Sequence, residues 1–366
     1  MINTIYRLVA PRRFEIAFED IELFGENAIV RPTYLSICNA DMRYYLGTRD
    51  AKVLAEKLPM ALIHEGVGEV FFDPTNTFKP GDKVVMVPNA PVETDDYIAE
   101  NYLRSSKFCG SSMDGFLQEF VEISPKRLVK LPDDIDMTVA AFTEIVSVSV
   151  HAISRFDKIA HNRRDTVSVW GDGNLGYITS LFLKYHFPKS KIVVFGTDAN
   201  KLADFTFADE THLVNEVPDG FTTDHAFECV GGNGSPIAIE QIIGLIKPEG
   251  TISILGVSEY PVPINTRMIL EKGLRVFGSS RSGGRTYDIY PADITINADT
   301  TASEIKAISL DKSMYQAEGV KQGETRTDQI STETIREYVK GKVKTDVESK
   351  VQFAFSNSSQ TLDIDP

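Results

Sequence analysis

Four residues in the first half of the chain are candidates for binding a catalytic metal ion. They are Cys38 in YLSICNADMRYYLG, the adjacent pair His64 and Glu65 in IHEGVGEV, and Glu144 in FTEIVSV. A thiolate, an imidazole and one or two carboxylates suit catalytic zinc, which takes three protein ligands and keeps a fourth position for water or substrate. Taken singly, each residue also fits a structural role, since a lone cysteine usually belongs to the core. A charge in apolar company, such as that of Glu144, nevertheless requires a partner.

A glycine-rich turn, GDGNLG, forms a second group of candidate residues. Gly171, Gly173 and Gly176 have the spacing G-x-G-x-x-G, and Asn174 and Leu175 stand between the last two glycines. In a dinucleotide fold the first glycine permits a tight turn, the second lets the backbone approach a pyrophosphate, and the third allows close packing of helix on strand. The phosphates then bind at the N-terminus of the following helix. Placed between a strand pattern and a helix pattern, the motif predicts a dinucleotide site.

The end of the next predicted strand, in KIVVFGTDANK, bears on which dinucleotide binds. An acidic residue at this position would hydrogen-bond the ribose 2′-hydroxyl of NAD. Gly196 stands there instead, which leaves space and removes a charge that would repel a 2′-phosphate, and Thr197 and Lys201 could hold that phosphate. In the alternative interpretation Asp198 binds the ribose. The pattern favours NADP(H) over NAD.

The candidate residues lie in two regions of the chain that have different sequence patterns. Residues 1–150 are rich in β-branched and aromatic runs broken by Pro and Gly turns, which predicts a β-rich domain. Residues 151–284 alternate short apolar runs with helical patterns, which predicts a doubly wound parallel sheet and hence an α/β fold. Within them AIEQIIGLIKPEG is predicted as a helix that ends at Gly250, and LRVFGSS as the last strand. Residues 285–366 are dominated by Thr, Ser, Lys, Asp and Glu.

Composition limits the partners and the compartment. The net charge of −14 argues against nucleic acid or an anionic membrane as the main partner, because both require a basic face. No stretch approaches the ~20 apolar residues that span a bilayer, and the N-terminus lacks the apolar run of a secretory signal. Three scattered cysteines are too few for a disulfide framework. A cytoplasmic location is therefore expected.

The order CNAD, HEG-x-G, GDGNLG resembles the zinc-dependent medium-chain dehydrogenases, particularly the polyol branch. The strings VRPTYLSICNADMRYYLGTRD, KLPMALIHEGVGEV, WGDGNLGYITS and DHAFECVGG are more closely similar to the ribulose-5-phosphate reductases, which make ribitol 5-phosphate for wall teichoic acid or capsule. This similarity covers about residues 1–283. It implies a GroES-like catalytic domain in residues 1–150, a Rossmann domain in residues 151–284, and a return of residues 285–366 to the first domain, although this last segment is atypical of the family.

The resemblance also implies the composition of the metal site. In the family, the residues that match Cys38, His64, Glu65 and Glu144 form one catalytic zinc site, and either glutamate could be the direct ligand. A second, structural zinc is held in many relatives by four closely spaced cysteines. The corresponding stretch here has only Cys109, so that a structural zinc is not expected.

Proton transfer must differ from the common family pattern. Ala40 stands where a Ser or Thr often relays the proton, so a zinc-held water, Glu65 or the hydroxyl of Tyr45 would protonate the new alkoxide. Arg43, Arg49 and Arg281 are candidates for the substrate phosphate, because arginine forks suit phosphate oxygens. Arg281 could instead contact a cofactor phosphate.

The activity implied by the resemblance is NADPH-dependent reduction of D-ribulose 5-phosphate to D-ribitol 5-phosphate. Zinc would polarise the C2 carbonyl and the cofactor would deliver hydride. Two alternatives stay open: the same chemistry on another substrate, such as sorbitol or threonine, or a non-catalytic relative that binds nucleotide. The expected partners are a small sugar phosphate, a second copy of the chain joined through the edge strand LRVFGSS, and a cytidylyltransferase that makes CDP-ribitol.

Overall fold

The structure is a computed structural model that describes residues 1–23 and 25–283, together with the backbone of residues 307–309. The chain divides into two compact units. Among the described residues, the first unit comprises Met1–Glu144 and residues 307–309, and the second unit begins at Ile145. The division falls inside one helix, Thr143–Ile159, close to the predicted boundary at residue 150.

The first unit is built mainly of antiparallel strands. Its elements, in chain order, are β1 (Ile2–Ala10), β2 (Arg13–Asp20), β3 (Ala28–Ser36), α1 (Asn39–Leu46), α2 (Ala51–Lys57), β4 (Met60–Ala61), β5 (Glu65–Phe72), β6 (Lys83–Met86), β7 (Asn89–Ala90), β8 (Lys107–Phe108), β9 (Val121–Ile123), β10 (Leu128–Lys130), α3 (Met137–Ala140) and the start of α4 (Thr143–Ile159). One sheet has the order β2-β1-β4 and a second has the order β10-β6-β5-β3, with β9 also paired to β3.

The pairing of β3 with β5 is the part of this unit that matters most for the candidate metal site. The two strands run antiparallel, and Ser36 at the end of β3 lies opposite Glu65 at the start of β5. Gly66 and Gly68 let β5 approach its neighbours closely, since a Cβ on Gly66 would lie 2.5 Å from the side chain of Leu35. The glycines of HEGVGEV therefore serve close strand packing, and the ladder brings the segment after β3 beside the segment before β5.

The second unit contains a six-stranded parallel sheet. After α4 its elements are β11 (Thr166–Trp170), α5 (Asn174–His186), β12 (Lys191–Gly196), α6 (Ala199–Ala203), β13 (Glu210–Leu213), β14 (Thr223–Glu228), α7 (Ser235–Leu245), β15 (Ile246–Ile254), α8 (Thr266–Lys272) and β16 (Arg275–Gly278). The strand order is β13-β12-β11-β14-β15-β16 and every neighbouring pair is parallel. This is the strand order of the Rossmann fold, so the predicted α/β fold is confirmed.

One predicted helix boundary is wrong. The helix expected to end at Gly250 ends at Leu245, and Ile246 already begins β15. Pro248 disfavours a helical conformation at Lys247, the residue before it. Gly250 then lies within the strand, where a Cβ would stand 2.6 Å from the carbonyl oxygen of Asp224 on the neighbouring strand. Close strand packing, rather than a helix C-cap, accounts for this glycine.

A short strand, β17 (Ala307–Ser309), pairs antiparallel with β3 of the first unit, Ala307 lying opposite Ser36. The return of residues 285–366 as a whole to the first unit stays a prediction. The sequence pattern of residues 331–355 predicts one helix and a strand, and these residues, like the rest of 285–366 apart from 307–309, lie outside the described residues. Within the described part of the chain, no helix is both long and apolar enough to cross a bilayer.

A buried carboxylate near the N-terminal end of β14, the end of the parallel sheet opposite the glycine turn, binds several neighbouring segments. Asp224 is fully buried, and its Oδ1 accepts hydrogen bonds from Nε of Arg163 at 2.8 Å and from Nζ of Lys247 at 3.0 Å. Its Oδ2 accepts the N–H of Thr166 at 3.0 Å. Burial opposes ionisation, but the hydrogen bonds from Thr166 and Lys247 more than offset it, and the pKa of Asp224 lies below its usual range.

We predict that Asp224→Ala lowers the free energy of unfolding by about 2 kcal/mol, less than the roughly 3–5 kcal/mol of a fully buried ion pair because the side chain of Arg163 is half exposed. Denaturant titration measures the change, and Asp219→Ala, at an exposed loop position, is the control. Because the folded pKa of Asp224 is depressed, its contribution is complete above the unfolded pKa of about 3.9 and is lost as the pH falls through the folded value. Equal stability of the two variants at pH 7 would contradict this role.

Candidate catalytic centre and cofactor site

Three of the four predicted metal ligands meet in the first unit. The ligand atoms of Cys38, His64 and Glu65 all lie within 4.8 Å of one another. Cys38 follows β3 and is the N-cap of α1, His64 directly precedes β5, and Glu65 is the first residue of that strand. The pairing of Ser36 with Glu65 therefore places the thiol beside the imidazole and the carboxylate, although 26 positions separate Cys38 from His64 in the chain numbering.

The fourth predicted ligand is close enough to affect the same thiol. Glu144 is buried in the first turn of α4. Burial raises the pKa of Cys38, and the charges of Glu65, Asp41 and Glu144 raise it further. The N–H of Ala40, at the start of α1, opposes these effects by hydrogen-bonding the Cys38 sulfur. A half-buried thiol beside buried carboxylates forms a set of metal-binding groups that would ionise readily only beside a cation.

Asp41 joins the two segments that carry these residues. It is fully buried, its Oδ2 accepts the N–H of Cys38 at 3.0 Å, and its Oδ1 accepts the N–H of Ile63 at 2.9 Å. The same Oδ1 lies 3.7 Å from Nδ1 of His64. The sequence interpretation did not single out Asp41. Its position three residues after an N-cap is the spacing of a capping box, and that signal could have identified it.

The backbone just before His64 has an unusual conformation. Ile63 has a φ of 74°, in the left-handed region that β-branched residues rarely adopt. Its N–H is bound by Asp41 and its carbonyl accepts the N–H of Phe116 at 2.7 Å. A Cβ on Gly110 would lie 3.2 Å from the Ile63 nitrogen, so the neighbouring loop packs directly against this segment. These contacts fix the direction in which the chain enters His64.

The other residues predicted for chemistry in this unit have varied surroundings. Tyr45 is buried in the core, and its ring stacks on Phe14 with centroids 6.0 Å apart. Its role as a proton donor stays a prediction.

Arg49 is half-buried, and its guanidinium lies 4.7 Å from the ring centroid of Tyr44. Burial raises the pKa of Asp41, and the charge of Arg49 is among the effects that oppose this rise. Arg49 therefore lies within electrostatic range of the candidate metal site.

Two further candidates for the substrate phosphate lie on α1 and after β16. Arg43 is half-buried on α1, five positions after Cys38. Arg281 belongs to the second unit, follows β16, and has a φ of 58°. Cys109, the single cysteine of the stretch that lacks the structural-zinc pattern, is buried, and its pKa is raised to about 12 by that burial.

The glycine turn in the second unit has the geometry that a dinucleotide requires. Gly171 has a φ of 130°, and a Cβ there would lie 3.0 Å from the backbone of Cys229. A Cβ on Gly176 would collide with the carbonyl oxygen of Gly171, so helix and strand pack closely at this point. Gly173 is the N-cap of α5 and nothing lies within 4 Å of its would-be Cβ. Asn174 and Leu175 form the first turn of that helix.

The end of β12 differs from the prediction. Gly196 was expected to leave open space for a 2′-phosphate, but a Cβ there would lie 2.7 Å from both Cβ and Oδ2 of Asp172. Oδ2 of Asp172 accepts two hydrogen bonds from Thr197, one from its N–H at 2.5 Å and one from the Thr197 hydroxyl at 3.1 Å. The same oxygen accepts the N–H of Asp198 at 2.9 Å. Asp198 in turn caps α6, which carries Lys201. The glycine is required because an acidic side chain from the GDGNLG turn packs against it.

A second acidic residue that the sequence interpretation missed lies where the strand order reverses, between β11 and β14. Glu228 ends β14 and is fully buried. Its Oε1 accepts the N–H groups of Gly231 at 2.8 Å and Val230 at 3.2 Å, and its Oε2 accepts the N–H of Gly256 at 3.1 Å. Ligands of open α/β sheets bind outside the carboxyl ends of the strands at this reversal. Glu228 thus holds together two loops at the expected ligand position.

Comparison with known proteins identifies the family. Residues 25–133 match the alcohol dehydrogenase GroES-like domain. Ribulose-5-phosphate reductase 1 of Staphylococcus aureus is 56% identical over 287 residues, which cover 78% of this chain and 84% of the relative. Ribulose-5-phosphate reductase of Bacillus spizizenii is 56% identical over 283 residues, covering 77% and 83% respectively.

Solved structures agree with these matches. The crystal structure of S. aureus TarJ in complex with NADPH has a TM-score of 0.69 and 50% sequence identity, and the match covers 79% of this chain and 85% of that one. The predicted resemblance is therefore confirmed over the part of the chain that contains both candidate sites. The chain is an oxidoreductase that belongs to the ribulose-5-phosphate reductases, within the alcohol dehydrogenases that carry a GroES-like domain.

Proposed function

We propose that this protein reduces D-ribulose 5-phosphate to D-ribitol 5-phosphate with NADPH, and so supplies the ribitol unit of CDP-ribitol for wall teichoic acid or capsule. The observation that carries the proposal is the meeting of Cys38, His64 and Glu65 in a unit whose relatives are ribulose-5-phosphate reductases. The glycine turn of the second unit supports the use of a nicotinamide dinucleotide. The NADPH of the S. aureus relative favours NADPH over NADH. These substrates are expected in the cytoplasm.

Cys38, His64, Glu65 and Glu144 are the residues that would hold one zinc ion. These side chains fit zinc, because a half-buried thiolate beside a buried imidazole and buried carboxylates matches its preferred ligands. When bound there, zinc supplies a Lewis acid that polarises the C2 carbonyl of the sugar. The N–H of Ala40 at the start of α1 favours the thiolate form of Cys38, and Asp41 orients the loops that carry Cys38 and His64.

We assign to Glu65 the role of donating the proton that converts the new alkoxide into a hydroxyl. Its carboxylate accepts a hydrogen bond from the hydroxyl of Ser36, the residue opposite it in the β3–β5 ladder. Glu65 could carry this proton where Glu144 is the direct zinc ligand and Glu65 meets the metal through a water, because direct binding to zinc would keep its carboxylate ionised. Ala40 offers no hydroxyl, and a zinc-held water or the hydroxyl of Tyr45 is the alternative donor.

The second unit would bind the cofactor at the carboxyl ends of its strands. The N–H groups at the start of α5 are oriented to bind the pyrophosphate, and the open space beside Gly173 lets it approach the backbone. Glu228 keeps the loops after β14 and β15 in place for the remainder of the cofactor. The nicotinamide supplies the hydride.

Recognition of the substrate phosphate is proposed for Arg43 and Arg49, with Arg281 as a further candidate from the second unit. Arg43 and Arg49 flank the end of the helix that Cys38 caps, and Arg49 already acts electrostatically on Asp41. Their guanidinium groups suit phosphate oxygens better than a lysine would. A phosphate bound there would keep the sugar within the unit that holds the metal ligands.

We expect the enzyme to oxidise NADPH with ribulose 5-phosphate at a kcat/KM at least about 100-fold higher than with ribulose, because a site built for a polar group rejects the analogue that lacks it. Absorbance of NADPH measures both rates, with sorbitol and threonine tested in the oxidative direction.

Arg49→Met should raise the KM for the phosphorylated ketose and leave the KM for ribulose unchanged. Equal rates on the two ketoses would contradict the phosphate assignment. NADPH binding without turnover of any substrate would favour the non-catalytic alternative.

Asp41→Asn should weaken zinc affinity by about 10- to 100-fold, the usual range when a group that orients a metal ligand is replaced. The amide keeps the size of the side chain but removes the charge that binds the N–H groups of Cys38 and Ile63. Competition with a chromogenic chelator measures the affinity, so the result does not depend on turnover. Asp50→Asn, which alters the N-cap of α2 in the same unit, is the matched control. Zinc retention equal to the control would remove Asp41 from this role.

Glu144→Gln tests whether the fourth residue belongs to the metal site. We expect loss of zinc retention or of turnover by about tenfold or more, because the amide has the same shape but no longer contributes negative charge near Cys38. Metal analysis after dialysis and steady-state kinetics give the two readouts. Glu69→Gln, on the exposed face of β5, is the control. Unchanged zinc content together with unchanged kinetics would exclude Glu144 from the site.

A further inference from the structure

The acidic residue inside the glycine turn has a position that the proposed function does not explain. Asp172 follows Gly171, yet its carboxylate lies at the end of β12, where it meets Thr197 and Asp198. In Rossmann folds that bind NAD, an acid near the end of this second strand hydrogen-bonds the ribose 2′-hydroxyl. Here the strand ends in Gly196, and the acid at that place comes from the turn after the first strand, β11.

Asp172 and Gly196 depend on each other. A Cβ on residue 196 would lie 2.7 Å from Oδ2 of Asp172 and 2.9 Å from the side chain of Leu202, so only glycine leaves room for the carboxylate. Three donors then converge on the single oxygen Oδ2: the N–H and hydroxyl of Thr197 and the N–H of Asp198. These three hydrogen bonds fix the position of the Asp172 carboxylate.

A 2′-phosphate would need the same hydrogen-bond donors of Thr197 that the Asp172 carboxylate binds. Thr197 and Lys201 are the residues proposed to hold that phosphate, and both donors of Thr197 already bind Asp172. The second acid nearby, Asp198, is engaged as the cap of α6, with its carboxylate accepting the N–H of Asn200 at 2.8 Å. A 2′-phosphate would therefore meet two carboxylates close to the one lysine of α6.

We propose that Asp172 determines cofactor specificity: its carboxylate competes with a 2′-phosphate for the donors of Thr197 and so limits the preference for NADPH over NADH. The inference rests on the proposed use of NADPH and adds a residue that moderates it. Like charges repel over these distances, and removing one of them favours the more highly charged ligand. A ribose 2′-hydroxyl carries no charge, so NADH is not penalised in the same way.

The opposite role for Asp172 predicts the opposite change. If the carboxylate orders Thr197 and Asp198 so that they can receive the 2′-phosphate, its removal would loosen this loop and lower NADPH affinity. The ratio of the two dissociation constants, Kd for NADH divided by Kd for NADPH, therefore distinguishes competition from ordering. It rises under competition and falls under ordering.

The experiment measures that ratio for Asp172→Asn by nucleotide fluorescence, with the full chain and no sugar present. We expect the ratio to rise about tenfold over wild type, the effect of removing one like charge near the phosphate in a partly hydrated site. Asp219→Asn makes the same change of charge at an exposed loop position and should leave the ratio unchanged. Asp172→Ser, which keeps a hydroxyl but no charge, should change the ratio in the same direction and serves if the asparagine variant does not fold.

The outcomes separate this inference from the proposed function. A ratio that is unchanged or lower in both Asp172 variants would overturn the inference while leaving NADPH use intact. Wild-type protein that binds NADH alone would contradict the proposed use of NADPH, yet Asp172→Asn should then gain measurable NADPH binding. Wild-type protein that binds neither nucleotide would overturn both.

Discussion

The structure of the first unit depends on the burial of several acidic groups around one thiol. Cys38, Glu65 and Glu144 lie within electrostatic range of one another with little access to water, an arrangement whose charged form is costly without a cation. The β3–β5 ladder enforces it, because residues that are distant in sequence become neighbours once Ser36 and Glu65 pair. A metal ion would relieve a cost that the fold otherwise creates, so the fold and the proposed chemistry have a common origin.

Three carboxylates support the two sites in the same way: those of the buried Asp41 and Glu228 and that of the half-buried Asp172. Asp41, Asp172 and Glu228 each accept N–H groups of backbone segments that no helix or sheet ladder holds at those points. Charge-assisted hydrogen bonds of this kind are stronger than neutral ones and satisfy donors that would otherwise be lost from water. Loops that must present ligands or approach a cofactor are thereby fixed by the protein itself. Such order before binding lowers the entropy that binding would cost.

Sequence patterns predicted the parts of the fold that repeat locally. The strand pattern before GDGNLG corresponds to β11, and the run KIVVFG corresponds to β12. The spacing of Gly171, Gly173 and Gly176 correctly predicted the turn between strand and helix. Periodicity carries no information on which distant segments meet. The contact of Asp41 with Ile63 and that of Asp172 with Thr197 each depend on tertiary packing, so neither contact could be predicted, although the capping-box spacing of Asp41 was a local signal for that residue.

Gly196 illustrates why a missing side chain is ambiguous evidence for a ligand. The absence of a Cβ at the strand end is compatible with space for a 2′-phosphate or with space for another side chain of the same protein, and both require glycine. The structure fills that space with Asp172. The argument for NADPH then no longer rests on Gly196 but on Thr197, Lys201 and the NADPH-bound relative. Preference for NADPH becomes a balance, in which the donors of Thr197 and Lys201 must outweigh a carboxylate that already occupies part of the same position.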